Sequence, residues 1–86
     1  VTEEQVAEAK AVLESAITDL GNSSLTSIRG LVYNGTATMY IDNINQVQCK
    51  EGSSIINLGT SDKAMAVYNA WVTYYELYTQ YQAQQQ

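Results

Sequence analysis

The 86-residue sequence contains no histidine, no proline and no phenylalanine, and it has one cysteine and one tryptophan. The absence of histidine removes the most common general base and the most common transition-metal ligand. Ser-His and Cys-His catalytic arrangements cannot be built, and the lone Cys49 can form neither an intrachain disulfide nor a structural zinc site. We therefore expect a protein that is not an enzyme and that binds no metal or cofactor.

Other catalytic groups are also poorly represented. The five glycines are dispersed, so the sequence has no glycine-rich phosphate-binding loop. Hydrolysis by a carboxylate pair needs two neighbouring acids, whereas the candidates come from separate predicted elements: Asp42, Glu51, Asp62 and Glu76. Cys49 lies beside Lys50, which would favour a reactive thiolate, but we interpret it as a small buried strand residue.

Basic residues are scarce, with four lysines and arginines against nine acidic residues and a net charge of −5. This charge repels the phosphate backbone, so direct nucleic-acid binding is not expected. The apolar runs are too short for a membrane-spanning helix, and no signal-peptide pattern opens the chain. The chain begins at Val1 rather than methionine, which is consistent with removal of an upstream segment, and its residues do not indicate a compartment.

Length and aromatic content favour an interacting protein. Residues 1–86 are predicted to form one domain, near the size at which oligomerisation often supplements a small core. Seven of the eight aromatic residues are tyrosine, whose apolar ring and polar hydroxyl suit interfaces better than dry cores. The glutamine-rich tail, residues 82–86, is expected to fray.

The first twenty residues have the pattern of one amphipathic helix. Thr2 and Gln5 are spaced as a capping box, and Gly21 supplies a C-terminal stop. The predicted buried stripe contains Val6, Ala9, Leu13, Ala16, Ile17 and Leu20. Acidic side chains on or near the opposite side form a candidate acidic face: Glu3, Glu4, Glu8, Glu14 and Asp19.

From Ser27 a period of two predicts β-structure. Because Asn34-Gly35 favours a type I′ turn, we predict a hairpin that pairs Val32 with Ala37 and Ile28 with Ile41. The outer face of this sheet would present a candidate contact surface that contains Arg29, Tyr33 and Tyr40.

The pattern after this hairpin is weaker. It predicts either a bulge or a turn that continues to Asn45, followed by a strand with Val47 and Cys49 inward. A turn at Glu51-Gly52 then leads into a short last strand from Ile55 to Leu58, which Gly59 ends.

The segment from Ser61 to Gln86 predicts one long helix, capped by Ser61, with two apolar rows. The first row contains Ala64, Tyr68, Trp71, Tyr75, Tyr78 and Gln82. The second row, about 100° away around the helix, contains Val67, Ala70, Tyr74, Leu77 and Tyr81. A helix this broadly apolar is buried on two sides, so either the first helix covers the second row or another chain does.

These patterns predict an α+β fold in which the N- and C-terminal helices pack on one face of a three- or four-stranded antiparallel sheet, in the order α-β-β-β-(β)-α. The favoured function is a non-enzymatic interaction or assembly protein that self-associates, as a dimer, through its tyrosine-rich C-terminal helix. The alternative is a small acidic inhibitor or adaptor, of the kind that viruses encode, that binds a basic site on a larger protein machine through the acidic face.

Overall fold

The computed structural model describes residues 1–85, which form an α+β fold with four helices and a three-stranded antiparallel sheet. The strands lie in the order β1-β2-β3, and the first and last helices pack against them, so the predicted fold class is confirmed. In chain order the elements are α1 (Glu3–Leu20), α2 (Ser23–Ser27), α3 (Arg29–Tyr33), β1 (Thr38–Ile41), β2 (Val47–Glu51), β3 (Ser54–Gly59) and α4 (Asp62–Gln84).

Both long helices begin at the predicted caps. Thr2 Oγ1 accepts a hydrogen bond from the Gln5 N–H at 3.1 Å, and Gln5 Oε1 accepts one from the Thr2 N–H at 2.8 Å. In the same way, Ser61 Oγ accepts from the Ala64 N–H at 3.2 Å. Gly21 adopts a left-handed conformation at the end of α1 and donates to the Ile17 carbonyl, as the C-terminal stop predicts.

Contacts at both ends show that α1 and α4 run antiparallel. At one end, Gln84 Oε1 accepts from the Val1 ammonium at 2.8 Å, and Gln84 Nε2 donates to the Val1 carbonyl at 2.7 Å. At the other end, Lys63 Nζ lies 3.7 Å from Asp19 Oδ1. The tail predicted to fray is helical through Gln84, and Gln86 lies outside the described residues.

The first predicted hairpin is wrong, because the residues before Asn34 are helical rather than extended. α2 and α3 occupy the place of the predicted strand, and Asn22 Oδ1 caps α2 by accepting from the Leu25 N–H at 3.0 Å. Leu25 and Val32 are fully buried and Ile28 is partly buried, at a spacing that also fits one side of a helix. Burial of these residues therefore favours two short helices.

Asn34-Gly35 ends α3 instead of forming a type I′ turn. Asn34 has φ −92° and Gly35 has φ 85°, whereas the type I′ turn needs positive φ at both positions. The Asn34 side chain accepts from the Thr36 N–H at 2.9 Å, and the chain then enters β1. The predicted pairing of Val32 with Ala37 consequently does not form.

The later strands follow the prediction closely. Val47 and Cys49 are fully buried, and Cys49 lies between Met39 of β1 and Ile56 of β3. The loop before β2 extends to Asn45, which has φ 65°, so the second of the two predicted alternatives is confirmed. Gly52, with φ 59°, forms the predicted turn between β2 and β3.

The core lies between the helices and the inner face of the sheet. Met39, Cys49 and Leu58 contribute from the strands, and Leu25 and Val32 from the short helices. Ala37, just before β1, and Val47, the first residue of β2, are also in the core. The two long helices supply the other core residues: Ala9, Leu13, Ile17, Ala64, Val67, Ala70, Trp71 and Tyr74.

Candidate interaction surface

The second apolar row of α4 is mostly internal. Val67, Ala70 and Tyr74 are buried within the chain, so these three predicted contact residues contribute to its own core. α1 lies antiparallel along one side of α4, and the sheet and α3 lie along another side. The chain itself therefore covers two sides of this helix. Leu77 and Tyr81 of the same row are half-buried.

Three tyrosines of α4 hold the turn between α3 and β1. The Tyr74 hydroxyl donates to the Tyr33 carbonyl, and the Tyr78 hydroxyl donates to the Asn34 carbonyl at 3.4 Å. The Tyr75 ring packs so closely that a Cβ added to Gly35 would lie 3.4 Å from its Cε1 atom. These hydroxyls satisfy carbonyls near a helix end, so much of the tyrosine enrichment has a structural explanation.

The outer side of α4 carries a shallow apolar depression, which we term the outer α4 slot. Its volume is about 380 Å³, and Val72 in it is 38% exposed. The Trp71 and Tyr75 rings stack with centroids 5.0 Å apart and planes at 17°. Its lining residues are Trp71, Val72, Tyr75, Glu76, Thr79 and Gln80.

Sequence reasoning missed Val72, because this residue belongs to neither apolar row. Its exposure follows from the packing of α1 and the sheet against other sides of α4. A single aliphatic residue beside Trp71 and Tyr75 was the available sequence signal.

The predicted sheet-face contact is not assembled. Arg29 and Tyr33 lie on α3, whereas Tyr40 lies on β1, where its hydroxyl is 3.4 Å from Gln48 Oε1. Tyr33 instead meets the Tyr74 ring edge-on at 6.4 Å, and Lys10 Nζ lies 4.9 Å from the centre of the Tyr33 ring. Burial, followed by the charge of Glu14, raises the pKa of Tyr33, while Arg29 lowers it.

The candidate acidic face occupies exposed positions of α1, on and beside the side opposite Leu13. All five of its acidic side chains are exposed. Within residues 1–85, the ion pair between Asp19 and Lys63 is the one salt bridge, and both of its side chains are more than half exposed. The other four carboxylates therefore face solvent without a basic partner in the described chain.

Cys49 is unsuited to nucleophilic chemistry. Its side chain is fully buried, and burial, with a smaller effect from the charge of Glu51, raises its pKa from 9.0 to about 11. A buried thiol with a raised pKa is protonated at neutral pH and is a poor nucleophile. The described residues also contain no group of three histidine, cysteine, aspartate or glutamate side chains placed to hold a metal ion.

The chain matches no protein-family model, and comparisons with curated proteins and with solved structures returned no significant match. None of the helices in residues 1–85 combines the length and apolar character needed to cross a membrane. Function is therefore inferred from the residues and their geometry.

Proposed function

We propose that the protein is a non-enzymatic interaction or assembly protein that self-associates through the outer side of α4. The observation that supports this most directly is the outer α4 slot, where exposed Val72 lies beside the stacked Trp71 and Tyr75 rings. Aromatic residues are enriched as anchors in protein interfaces. The proposed contact stays on the helix favoured by the sequence but moves from its buried second row to its open side.

Charge favours a second copy of the chain as the partner. From Ala64 to Gln84, α4 carries one charged residue, Glu76, whereas the exposed side of α1 carries five acids. Two copies that meet through α4 would bring few like charges together, although each chain has a net charge of −5. A two-fold arrangement would place Val72 of each copy against the slot of the other.

The test is the solution mass of the full chain, measured by light scattering over a concentration series at low and high salt. We expect a dimer that resists salt, because apolar burial is not screened. Val72→Glu should raise the dissociation constant at least about tenfold, since it places a charge in the apolar contact. Val12→Glu is the matched control: Val12 is 57% exposed on α1 and lines a different groove.

A chain that is monomeric at every concentration would contradict self-association. Equal dissociation constants for Val72→Glu and the unsubstituted chain would exclude the slot as the contact. Dissociation by Val12→Glu alone would instead identify the groove between α1 and α4 as the interface.

A second candidate function, the acidic inhibitor or adaptor, is supported by the four unpaired glutamates on the exposed side of α1. Binding of the chain to polylysine would test it, and the affinity should fall steeply with added salt. Replacing Glu4, Glu8 and Glu14 with glutamine should weaken binding more than a charge-matched control that alters Glu51, Asp62 and Glu76. Equal weakening would show that net charge, rather than the acidic face, governs the binding.

A further inference from the structure

β3 is an edge strand of the sheet. On one side it pairs with β2, and within the described residues no strand pairs with its other side. The long helices lie mainly over other parts of the fold, and Ile55 of β3 is 54% exposed. The outer side of β3 therefore presents backbone groups that another strand can bind.

This edge lacks two of the features that commonly prevent pairing between chains. Ser54–Gly59 contains no charged residue and no proline, both of which commonly protect exposed edges. A register shift opposite Val47 and Gln48 disturbs only the end of the strand, where the Gly59 N–H is already bonded to Asn57 Oδ1 at 2.8 Å. The regular and open part of the edge is Ser54 to Asn57.

The alternation of an antiparallel ladder identifies the free backbone groups. Glu51 and Ser54 flank the two-residue turn and form its closing pair, so Ser54 and Ile56 direct their N–H and C=O groups toward β2. Ile55 and Asn57 consequently direct theirs away from β2. Two residues, separated by Ile56, thus carry the free donors and acceptors.

We propose that a second copy of the chain binds this edge, with the two β3 strands antiparallel and the two-fold axis at Ile56. In this register Ile55 of each copy lies opposite Asn57 of the other, and their free N–H and C=O groups pair. The two sheets join into one of six strands. This contact goes beyond the proposed α4 contact and does not depend on it.

The side chains of the strand are compatible with this register. Residues directly opposite each other point to the same face, so the partly buried Ile56 side chains meet on the inner face next to each core. The outer face brings together Ile55 and Asn57, neither of which is charged. The uncharged strand thus allows two chains of net charge −5 to meet.

Hydrogen exchange of the full chain at low and high concentration tests the proposal directly. In the monomer the Ile55 and Asn57 amides are open, so they should exchange rapidly, and their exchange should slow as the concentration rises. The Ser54 and Ile56 amides, which face β2, serve as internal references. Exchange rates at Ile55 and Asn57 that do not change with concentration would overturn the proposal.

A matched pair of variants provides the second test. Ile55→Lys puts two ammonium groups on diagonal positions across the two-fold axis, where neighbouring residues lie about 7–8 Å apart, and should weaken the edge contact about tenfold or more. Ile44→Lys makes the same change in net charge at an isoleucine that is 63% exposed in the loop between β1 and β2, and should leave the contact intact. Equal dissociation constants for the two variants would contradict the proposal.

The two self-association proposals fail in different ways. A dimer formed through α4 alone would be dissociated by Val72→Glu and would leave Ile55 and Asn57 exchange independent of concentration. A dimer formed through β3 alone would show slowed exchange at both amides and would survive Val72→Glu.

Discussion

α1 and α4 are both long, both begin at a side-chain cap and pack against each other, yet they are buried to different extents. α1 buries Ala9, Leu13 and Ile17 along one stripe and exposes acids on the other side. α4 has α1 on one side and the sheet and α3 on others, and its buried residues extend from Ala64 to Tyr74. The width of an apolar face therefore reports how many neighbours a helix has, and these neighbours can all belong to its own chain.

The largest expected loss of stability comes from truncating a buried side chain of α1. Leu13→Ala removes a fully buried side chain and should lower the free energy of unfolding by about 3 kcal/mol, because it leaves a cavity in the core. Val12→Ala, one residue away on the exposed side, should change it by less than about 0.5 kcal/mol. Chemical denaturation measures both, and similar losses would show that α1 is not buried along one stripe.

High pH tests the layer of the fold that contains Cys49. Its folded pKa of about 11 exceeds its ordinary value of 9.0, so the unfolded chain loses this proton first. The protonated thiol makes its full contribution to the free energy of unfolding below pH 9. This contribution falls by about 2 kcal/mol as the pH rises toward 11. The pKa values of Tyr33 and Tyr74 are also raised, which adds loss in the same direction.

Denaturation midpoints from pH 8 to pH 11 measure this effect. Cys49→Ala serves as the control, because it removes the thiol and should flatten the slope between pH 9 and pH 11 relative to the unsubstituted chain. An identical slope in the two proteins would show that the thiol does not contribute.

Gly35→Ala tests the contact between α4 and the turn that joins α3 to β1. Gly35 has φ 85°, and an added Cβ would lie 3.4 Å from Tyr75 Cε1. The strain of a left-handed alanine and this close contact should together lower the free energy of unfolding by about 1–2 kcal/mol. Gly52→Ala is a matched control, since Gly52 has φ 59° but nothing within 4 Å of its added Cβ. A larger loss at Gly52 would mean that the tyrosines do not press on the turn.

The smallest effects concern the feature that the two helices share. Thr2→Ala and Ser61→Ala each remove a side-chain oxygen that accepts from a backbone N–H, and each should cost about 1 kcal/mol in thermal or chemical denaturation. Thr2 also takes part in a reciprocal bond with Gln5, so its loss should equal or exceed that at Ser61. A clearly larger effect at Ser61 would contradict this order.

Local signals were sufficient where the chain specifies its own hydrogen bonds. Both long helices begin at the caps that the sequence indicates, Thr2 and Ser61, and α1 ends at Gly21. The turn at Glu51-Gly52 likewise joins β2 to β3 where the sequence indicates. The segment from Ser27 to Tyr33 was ambiguous, because a short apolar run fits a strand and a helix equally well. Tertiary burial of Leu25 and Val32 decided it.

The candidate surfaces were harder to predict than the fold. Sequence periodicity correctly indicates that α4 is buried on two sides, but it does not specify which chain provides the cover. The burial of Val67, Ala70 and Tyr74 depends on how α1 and α3 pack against α4. This packing joins segments that are distant in the sequence, so the local pattern of α4 does not predict it. The open edge of β3 depended on strand order, which the pattern of Ile55 and Ile56 does not encode.

Trp71 gives the outer α4 slot its own optical signal. It is the one tryptophan of the sequence, it lines the slot, and its ring stacks on Tyr75 and lies near Tyr68. Its indole Nε1 is buried without a hydrogen-bond partner among the described residues. Fluorescence excited selectively at the indole therefore comes from one place in the molecule, and a molecule that enters the slot will shift or quench that emission without any added label.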